Sequence, residues 1–126
     1  MKSKNNFKIK FSGKNKIIAI KNNKIIGYQT FHYPEDASGS RNVELDWLYV
    51  NPKYRREGVA TKIIEFVLKN FKKVVWISFW TGKDIEINKG NSLYKKLGFK
   101  EIAYQEGYYK KDIGTRLFVK RVRKDI

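Results

Sequence analysis

The residues best placed for chemistry lie between Tyr49 and Glu65, in the run YVNPKYRREGVATKIIE. A strand ends at Asn51-Pro52, basic residues follow, and Gly58 falls in the first turn of a helix whose opening residues are small. The start of an α-helix leaves about four backbone N–H groups unpaired and carries a partial positive charge, so it attracts phosphate. Gly58 and Ala60 allow an approach to that backbone which a larger side chain would block. Arg55 and Arg56 add charge-assisted donors, and Thr61 adds a hydroxyl. The expected structure is a diphosphate cradle. It matches neither the GxxxxGK[ST] P-loop nor the GxGxxG dinucleotide fingerprint.

Other chemistries are closed off by composition. With no cysteine and one histidine, His32, the chain offers no disulfide, no thiol nucleophile and no zinc site built on Cys/His clusters, and no metal is expected. A Ser-His-Asp triad could run only through His32, and no GxSxG elbow carries the serine. No apolar run approaches the roughly 18 residues of a membrane span, so no membrane partner is expected. The start, MKSKNNFKIKF, has the positive end of a signal peptide without an apolar stretch behind it, which reads as a soluble cytoplasmic chain.

Charge is the strongest bias in the composition. There are 28 Lys plus Arg against 12 Asp plus Glu, a formal charge of +16. Of the basic residues 22 are lysine, accompanied by 14 Ile and 10 Asn, three residue types that AT-rich codons favour together. The excess therefore has two readings, a genomic bias expressed as a solvated surface or attraction to an anionic ligand or polymer.

The elements that must position the cradle follow from periodicity. At 126 residues and 41% apolar content the chain reads as a single domain, residues 1–126, without repeats. Phe7, Ile9 and Phe11 alternate with lysines, and KIIAIK and KIIGYQTFHY flank Asn22-Asn23, the composition of a tight hairpin. Three antiparallel strands are expected over 7–33, followed by an exposed loop over 34–42 (PEDASGSRN). In the strand VELDWLYV, Glu44, Asp46 and Leu48 share one face, and Val43, Leu45, Trp47 and Tyr49 share the other. Ala60, Ile63, Ile64, Val67, Leu68 and Phe71 form the apolar stripe of a helix over 57–70. KVVWISFW reads as a strand buried on both faces, which makes strand, helix, strand a βαβ unit with parallel neighbours. A short helix over 91–97 capped by Gly98 comes next, then strands over 99–103 and 115–122 joined by a Tyr- and Lys-rich loop. The class is α/β of the α+β kind: a mixed, mostly antiparallel sheet of about seven strands with a central parallel pair.

Two motifs resemble a known family. Arg55-Arg56-Glu57-Gly58-Val59-Ala60 resembles the (Q/R)xxGx(G/A) signature of the GNAT superfamily, the Gcn5-related N-acetyltransferases, and NSLYKKLGFKEIAY resembles its later (F/L)YxxLGF segment. The likeness covers Val43 to about Val122, with both motifs in the family's order. It implies transfer of an acetyl group from acetyl-CoA, as co-substrate, to a primary amine by direct attack in a ternary complex. The resemblance places the diphosphate at Arg56, Gly58, Ala60 and Thr61, within a binding segment that includes Arg55, Glu57 and Val59. It runs the pantetheine arm along the main chain at Leu48, Tyr49 and Val50, and it brings Asn88 to the cofactor. Tyr94 of SLYKKLGF matches the tyrosine that protonates the departing thiolate, and Glu44 is similar to the strand glutamate that deprotonates the amine. Asp46 or an ordered water are the other candidates for that base.

The chain departs from the family pattern in two places. Seven and four residues before Tyr94 the family places asparagine and alanine, whereas this chain has Ile87 and Gly90, with Asn88 one residue late. The family also inserts two helices between its first two strands, and residues 12–15 leave no room for them, so a GNAT fold here lacks or shortens both. The acceptor side is then open, or is completed by the 34–42 loop or by a second copy in a homodimer. A competing reading is a catalytically inactive, basic nucleic-acid-binding module. No acidic residue precedes Glu35, and Tyr104, Tyr108 and Tyr109 are interleaved with Lys110 and Lys111.

Overall fold

The computed structural model describes residues 6–34, 42–81, 91–111 and 113–125. Seven strands are hydrogen-bonded in the order β1-β2-β3-β4-β5-β7-β6, mixed in direction with β4 and β5 parallel, as the sequence pattern predicts. They are β1 (Lys8–Phe11), β2 (Lys16–Lys21), β3 (Lys24–His32), β4 (Asn42–Val50), β5 (Trp76–Trp80), β6 (Lys100–Lys110) and β7 (Ile113–Arg121). Among the described residues the helices are α1 (Val59–Asn70) and α2 (Asn91–Lys96), and a 3-10 turn covers Pro52–Tyr54. The chain divides into two compact units, Met1–His32 with Leu45–Lys72, and Tyr33–Glu44 with Lys73–Ile126.

In the first unit, Asn22 and Asn23 adopt φ of +52° and +62°, the left-handed pair that a two-residue turn between right-twisted strands requires. The link between β1 and β2 is only Ser12–Asn15, closed by Ser12 N–H donating to the Lys16 carbonyl at 2.8 Å. No helix stands there, as the sequence spacing requires. Val59, Ile63, Ile64 and Val67 form the buried stripe of α1, and Ile17, Ala19, Ile26 and Phe31 supply the buried side chains of β2 and β3. Burial of each aliphatic side chain of that size is worth about 1.5–3 kcal/mol. Phe11, Phe31, Phe66 and Phe71 close the end of this core, with Phe31 and Phe71 edge to face at 5.0 Å.

In the second unit β7 pairs antiparallel with both β5 and β6. Thr81 extends the β5 ladder: its N–H donates to the Arg116 carbonyl, and its hydroxyl accepts from Arg116 N–H. Phe79, Tyr94, Phe99 and Phe118 pack into one aromatic cluster. Two expectations are corrected here. Ile77 and Phe79 are buried while Trp76 and Trp80 are exposed, so KVVWISFW gives a strand buried on one face and starts at Trp76. Most of the expected Tyr- and Lys-rich loop is strand, because β6 runs to Lys110 and Ile113 already opens β7. Its polar composition suits a ribbon that faces water, and Gly107 (φ +66°) lies where the register shifts between Gln105 and Lys110.

Candidate functional site

The candidate cradle starts where β4 ends. Asn51 Oδ1 accepts from Lys53 N–H at 3.0 Å, Pro52 fixes the first residue of the 3-10 turn, and Tyr54 and Glu57 N–H groups bond back to the Asn51 and Pro52–Tyr54 stretch. Gly58 then takes φ +80°, ψ +18°, a left-handed conformation that costs other residues about 1–2 kcal/mol. The helix therefore begins at Val59, two residues later than its apolar pattern suggests, because Glu57 belongs to the turn. The earliest helical bond at this end runs from Lys62 N–H to the Gly58 carbonyl, at 3.0 Å. No side chain caps the helix, and its first turn holds no acidic residue. Val59, Ala60 and Thr61 therefore have N–H groups without intrahelical acceptors at an electropositive helix end.

The side chains around that opening divide their work. Arg55 Nε donates to the Val50 carbonyl at 2.9 Å, which ties the turn to the strand end, while Arg56 is exposed. Glu57 carries a carboxylate next to Gly58, and Lys21 Nζ neutralises it at 2.8 Å while lying 5.4 Å from the Tyr54 ring centre. Lys21 was not legible as a partner of this turn. It is the last residue of β2, and only the hairpin's folding brings it to Glu57.

On β4, Leu48 is half-buried, Val50 is buried, and Tyr49 pairs its ring with Tyr28 at 5.4 Å. A Cβ at Gly27 would come within 2.9 Å of the Tyr49 carbonyl and 3.3 Å of Val59, so β3 approaches this stretch as only glycine allows. The strict two-residue alternation expected for β4 does not hold. Val43 and Leu45 are buried, then Trp47 is 74% exposed and Val50 is buried. Buried positions thus pass from odd to even numbers along the strand. At that point side chains replace ladder partners: Trp47 N–H donates to Thr30 Oγ1 at 3.0 Å, and the Trp47 carbonyl accepts from Gln29 Nε2 at 3.0 Å.

Glu44 is half-buried on β4 and Asp46 is exposed. Asp46 Oδ2 lies 2.8 Å from His32 Nδ1 at the end of β3, a pairing missed in the sequence because no local motif sets the register between those strands. Tyr94 sits on α2 with its ring 4.5 Å from Phe79 and 5.7 Å from Phe118. Burial among these rings pushes its phenol above the ordinary value of 10.0. Gly98 (φ +92°) ends the helix as expected, with its N–H on the Lys95 carbonyl and Phe99 N–H on the Tyr94 carbonyl. Asn88 and the 35–41 part of the loop lie outside the described residues.

Residues 13–101 match the family model of the acetyltransferase (GNAT) domain. The chain belongs to the GNAT family. It is 32% identical over 91 residues to the mouse thialysine N-epsilon-acetyltransferase, a match covering 67% of this chain and 49% of that protein. It thus spans about half the length of the curated relatives it matches. The GNAT fold is shared with the ribosomal-protein-S18-alanine N-acetyltransferase of Escherichia coli, at TM-score 0.75 and 16% identity over 88% of this chain and 72% of that one. It is shared too with a Salmonella typhimurium acetyltransferase solved with its cofactor acetyl-CoA, at TM-score 0.75 and 14% identity over 88% and 66% of the two chains. Among the described residues no helix is long and apolar enough to cross a membrane.

Proposed function

We propose that residues 1–126 act as one acetyltransferase domain, moving an acetyl group from acetyl-CoA to a primary amine. One observation carries this reading: the start of α1 is held open by a left-handed Gly58, with no capping side chain and no acid in its first turn. An opening of that kind favours a ligand with several negative charges on a compact group, and the diphosphate of acetyl-CoA is one. Gly58, Val59, Ala60 and Thr61 supply the backbone donors. Arg56 supplies a mobile cation, Arg55 fixes the turn, and Lys21 removes the repulsion of Glu57. Leu48, Tyr49 and Val50 supply main-chain groups along which the pantetheine arm extends as an added strand.

Amine acylation needs a neutral nucleophile, donors for the charge that builds on the thioester oxygen, and a proton for the leaving sulfur. The acidic stretch of β4 that carries Glu44 and Asp46 is where the first need is met, and the Leu48 N–H serves the second. Tyr94 serves the third, since a phenol raised by burial stays protonated at neutral pH and can give its proton to a thiolate.

The substrate is sought among primary amines, with thialysine as first probe because relatives carry its name. Thiol release from acetyl-CoA is measured with thialysine, polyamines, aminoglycosides, amino acids and peptides, beside the melting temperature with millimolar acetyl-CoA. A ligand at 100 times its Kd stabilises by about 2.7 kcal/mol, so a shift of several degrees is expected. No shift and no thiol release with any amine would overturn the reading. Steep salt-dependent binding to random-sequence RNA or DNA in their place would favour the nucleic-acid module.

A further inference from the structure

We infer that His32, held by Asp46, is the group that removes the amine's proton; the inference rests on the acetyltransfer reading and names a residue which that reading leaves out. His32 Nδ1 and Asp46 Oδ2 lie 2.8 Å apart, and the two side chains are 47% and 30% exposed. An ionised carboxylate only accepts, so this contact places the ring proton of the neutral imidazole on Nδ1 and leaves Nε2 as its accepting atom. A carboxylate that fixes the tautomer and stabilises the imidazolium formed later is the arrangement a histidine base needs.

Position on the strands supports the assignment. Asp46 precedes Leu48 by two residues of β4, about 7 Å of extended chain, and the Leu48 N–H is the group proposed for the thioester oxygen. Across the same stretch, Trp47 is fastened to β3 at both of its main-chain polar groups, through Thr30 and Gln29, so the segment carrying Asp46 is fixed against the segment carrying His32. The other charged groups on the neighbouring strands are compatible with this role. Glu44 stands two residues up β4, where it adds negative potential that draws a cationic amine. Lys16, opposite Thr30 on β2, turns its ammonium onto the Tyr28 ring at 5.3 Å.

The step balances within the residues named. Nε2 of His32 takes one proton from the ammonium form of the amine, the freed nitrogen lone pair forms the C–N bond, and the C–S bond breaks with its electron pair leaving on sulfur. Tyr94 gives its proton to that sulfur, and the second proton carried by the acylated nitrogen passes through solvent to the Tyr94 oxygen. The proton on His32 is then released to solvent, so one proton is set free per turnover.

The test is the pH profile of kcat/KM for the intact chain with acetyl-CoA and thialysine, or whichever amine of the panel turns over, in the wild type and in His32→Gln, Asp46→Asn and Glu44→Gln. His32→Gln is expected to lose about 10²-fold or more at pH 7. The loss should shrink towards a few-fold near pH 10, where an aliphatic amine arrives largely neutral without help. Asp46→Asn follows the same trend with a smaller loss. Glu44→Gln raises KM for the amine with no such convergence, and the melting shift given by acetyl-CoA is unchanged in all three. A His32→Gln deficit that is absent, or constant with pH, overturns the assignment, as does convergence seen in Glu44→Gln alone. A wild type that acetyl-CoA does not stabilise overturns the acetyltransfer reading and the dyad together, so the two failures are told apart.

Discussion

In the unit formed by Met1–His32 and Leu45–Lys72, the groups suited to chemistry are backbone N–H donors at an open helix end, with ion pairs and a His-Asp pair near the surface. In the unit formed by Tyr33–Glu44 and Lys73–Ile126, the groups of that kind include the half-buried carboxylate of Glu44 and a phenol inside a cluster of rings. Under the proposed roles the difference matches the charge each would handle. A diphosphate keeps its charges throughout and is best met by fixed dipoles at an exposed surface. A general acid must keep its proton until the leaving group needs it, and burial enforces that by disfavouring the phenolate.

Backbone strain gives the largest test of the first half of that contrast. Gly58 and Gly13 both have positive φ, +80° and +72°, and a Cβ at Gly13 would meet nothing within 4 Å. Gly58→Ala and Gly13→Ala should therefore cost similar stability, about 1–2 kcal/mol each by thermal melting. Only Gly58→Ala should also abolish the acetyl-CoA melting shift and reduce turnover by about 10²-fold or more. Equal acetyl-CoA responses in the two variants would remove the helix opening from the site.

The second half is tested by Tyr94→Phe, which keeps the ring contacts and deletes the proton. A drop in kcat of about 10²-fold with KM for acetyl-CoA unchanged is expected. The raised phenol also predicts an effect on folding. Between pH 7 and about 9 Tyr94 is almost wholly protonated in both the folded and the unfolded chain, so it adds little pH dependence there. Above about 10 the unfolded chain ionises while the folded one resists, so stability falls as pH rises through the folded value. In alkaline melting series Tyr94→Phe should fall less steeply than the wild type, and identical slopes would contradict a buried phenol.

These two features were unequally legible in the sequence. The helix opening was readable because its parts are consecutive: Pro52, Arg56, Gly58 and Ala60 lie within one strand-to-helix turn, where local backbone chemistry decides the geometry. Tyr94 was readable through the motif around it, since Gly98 and Phe99 close the helix it stands on. His32 with Asp46, and Lys21 with Glu57, depend on strand register and on where a hairpin lies, which no short pattern encodes. The bonds that Thr30 and Gln29 make to the Trp47 main chain escaped for the same reason, because they come from another strand. Among the strands, alternation located β1 to β4 closely but cut β6 short, since a water-facing ribbon has the composition of a loop.

The smallest effects come from a device that both units contain. Lys21 pairs with Glu57 at 2.8 Å and lies over the Tyr54 ring, and Arg116 pairs with Glu101 at 3.1 Å and lies over the Tyr104 ring. Side-chain exposures are alike, 20% and 26% in the first pair against 26% and 30% in the second. Partly solvated pairs of this kind contribute about 0.2–1 kcal/mol, so Lys21→Met and Glu101→Gln should lower the melting temperature by similar small amounts. Their surroundings differ in one respect. Glu57 stands next to Gly58, and without Lys21 its carboxylate faces the incoming diphosphate uncompensated, whereas Glu101 lies on β6 outside the proposed cofactor segment. Lys21→Met should raise KM for acetyl-CoA several-fold, most at low ionic strength where screening is weakest, and Glu101→Gln should leave it unchanged. If both variants shift KM alike, the charge near the helix opening has no special standing, and the first unit's advantage for an anionic ligand reduces to its backbone.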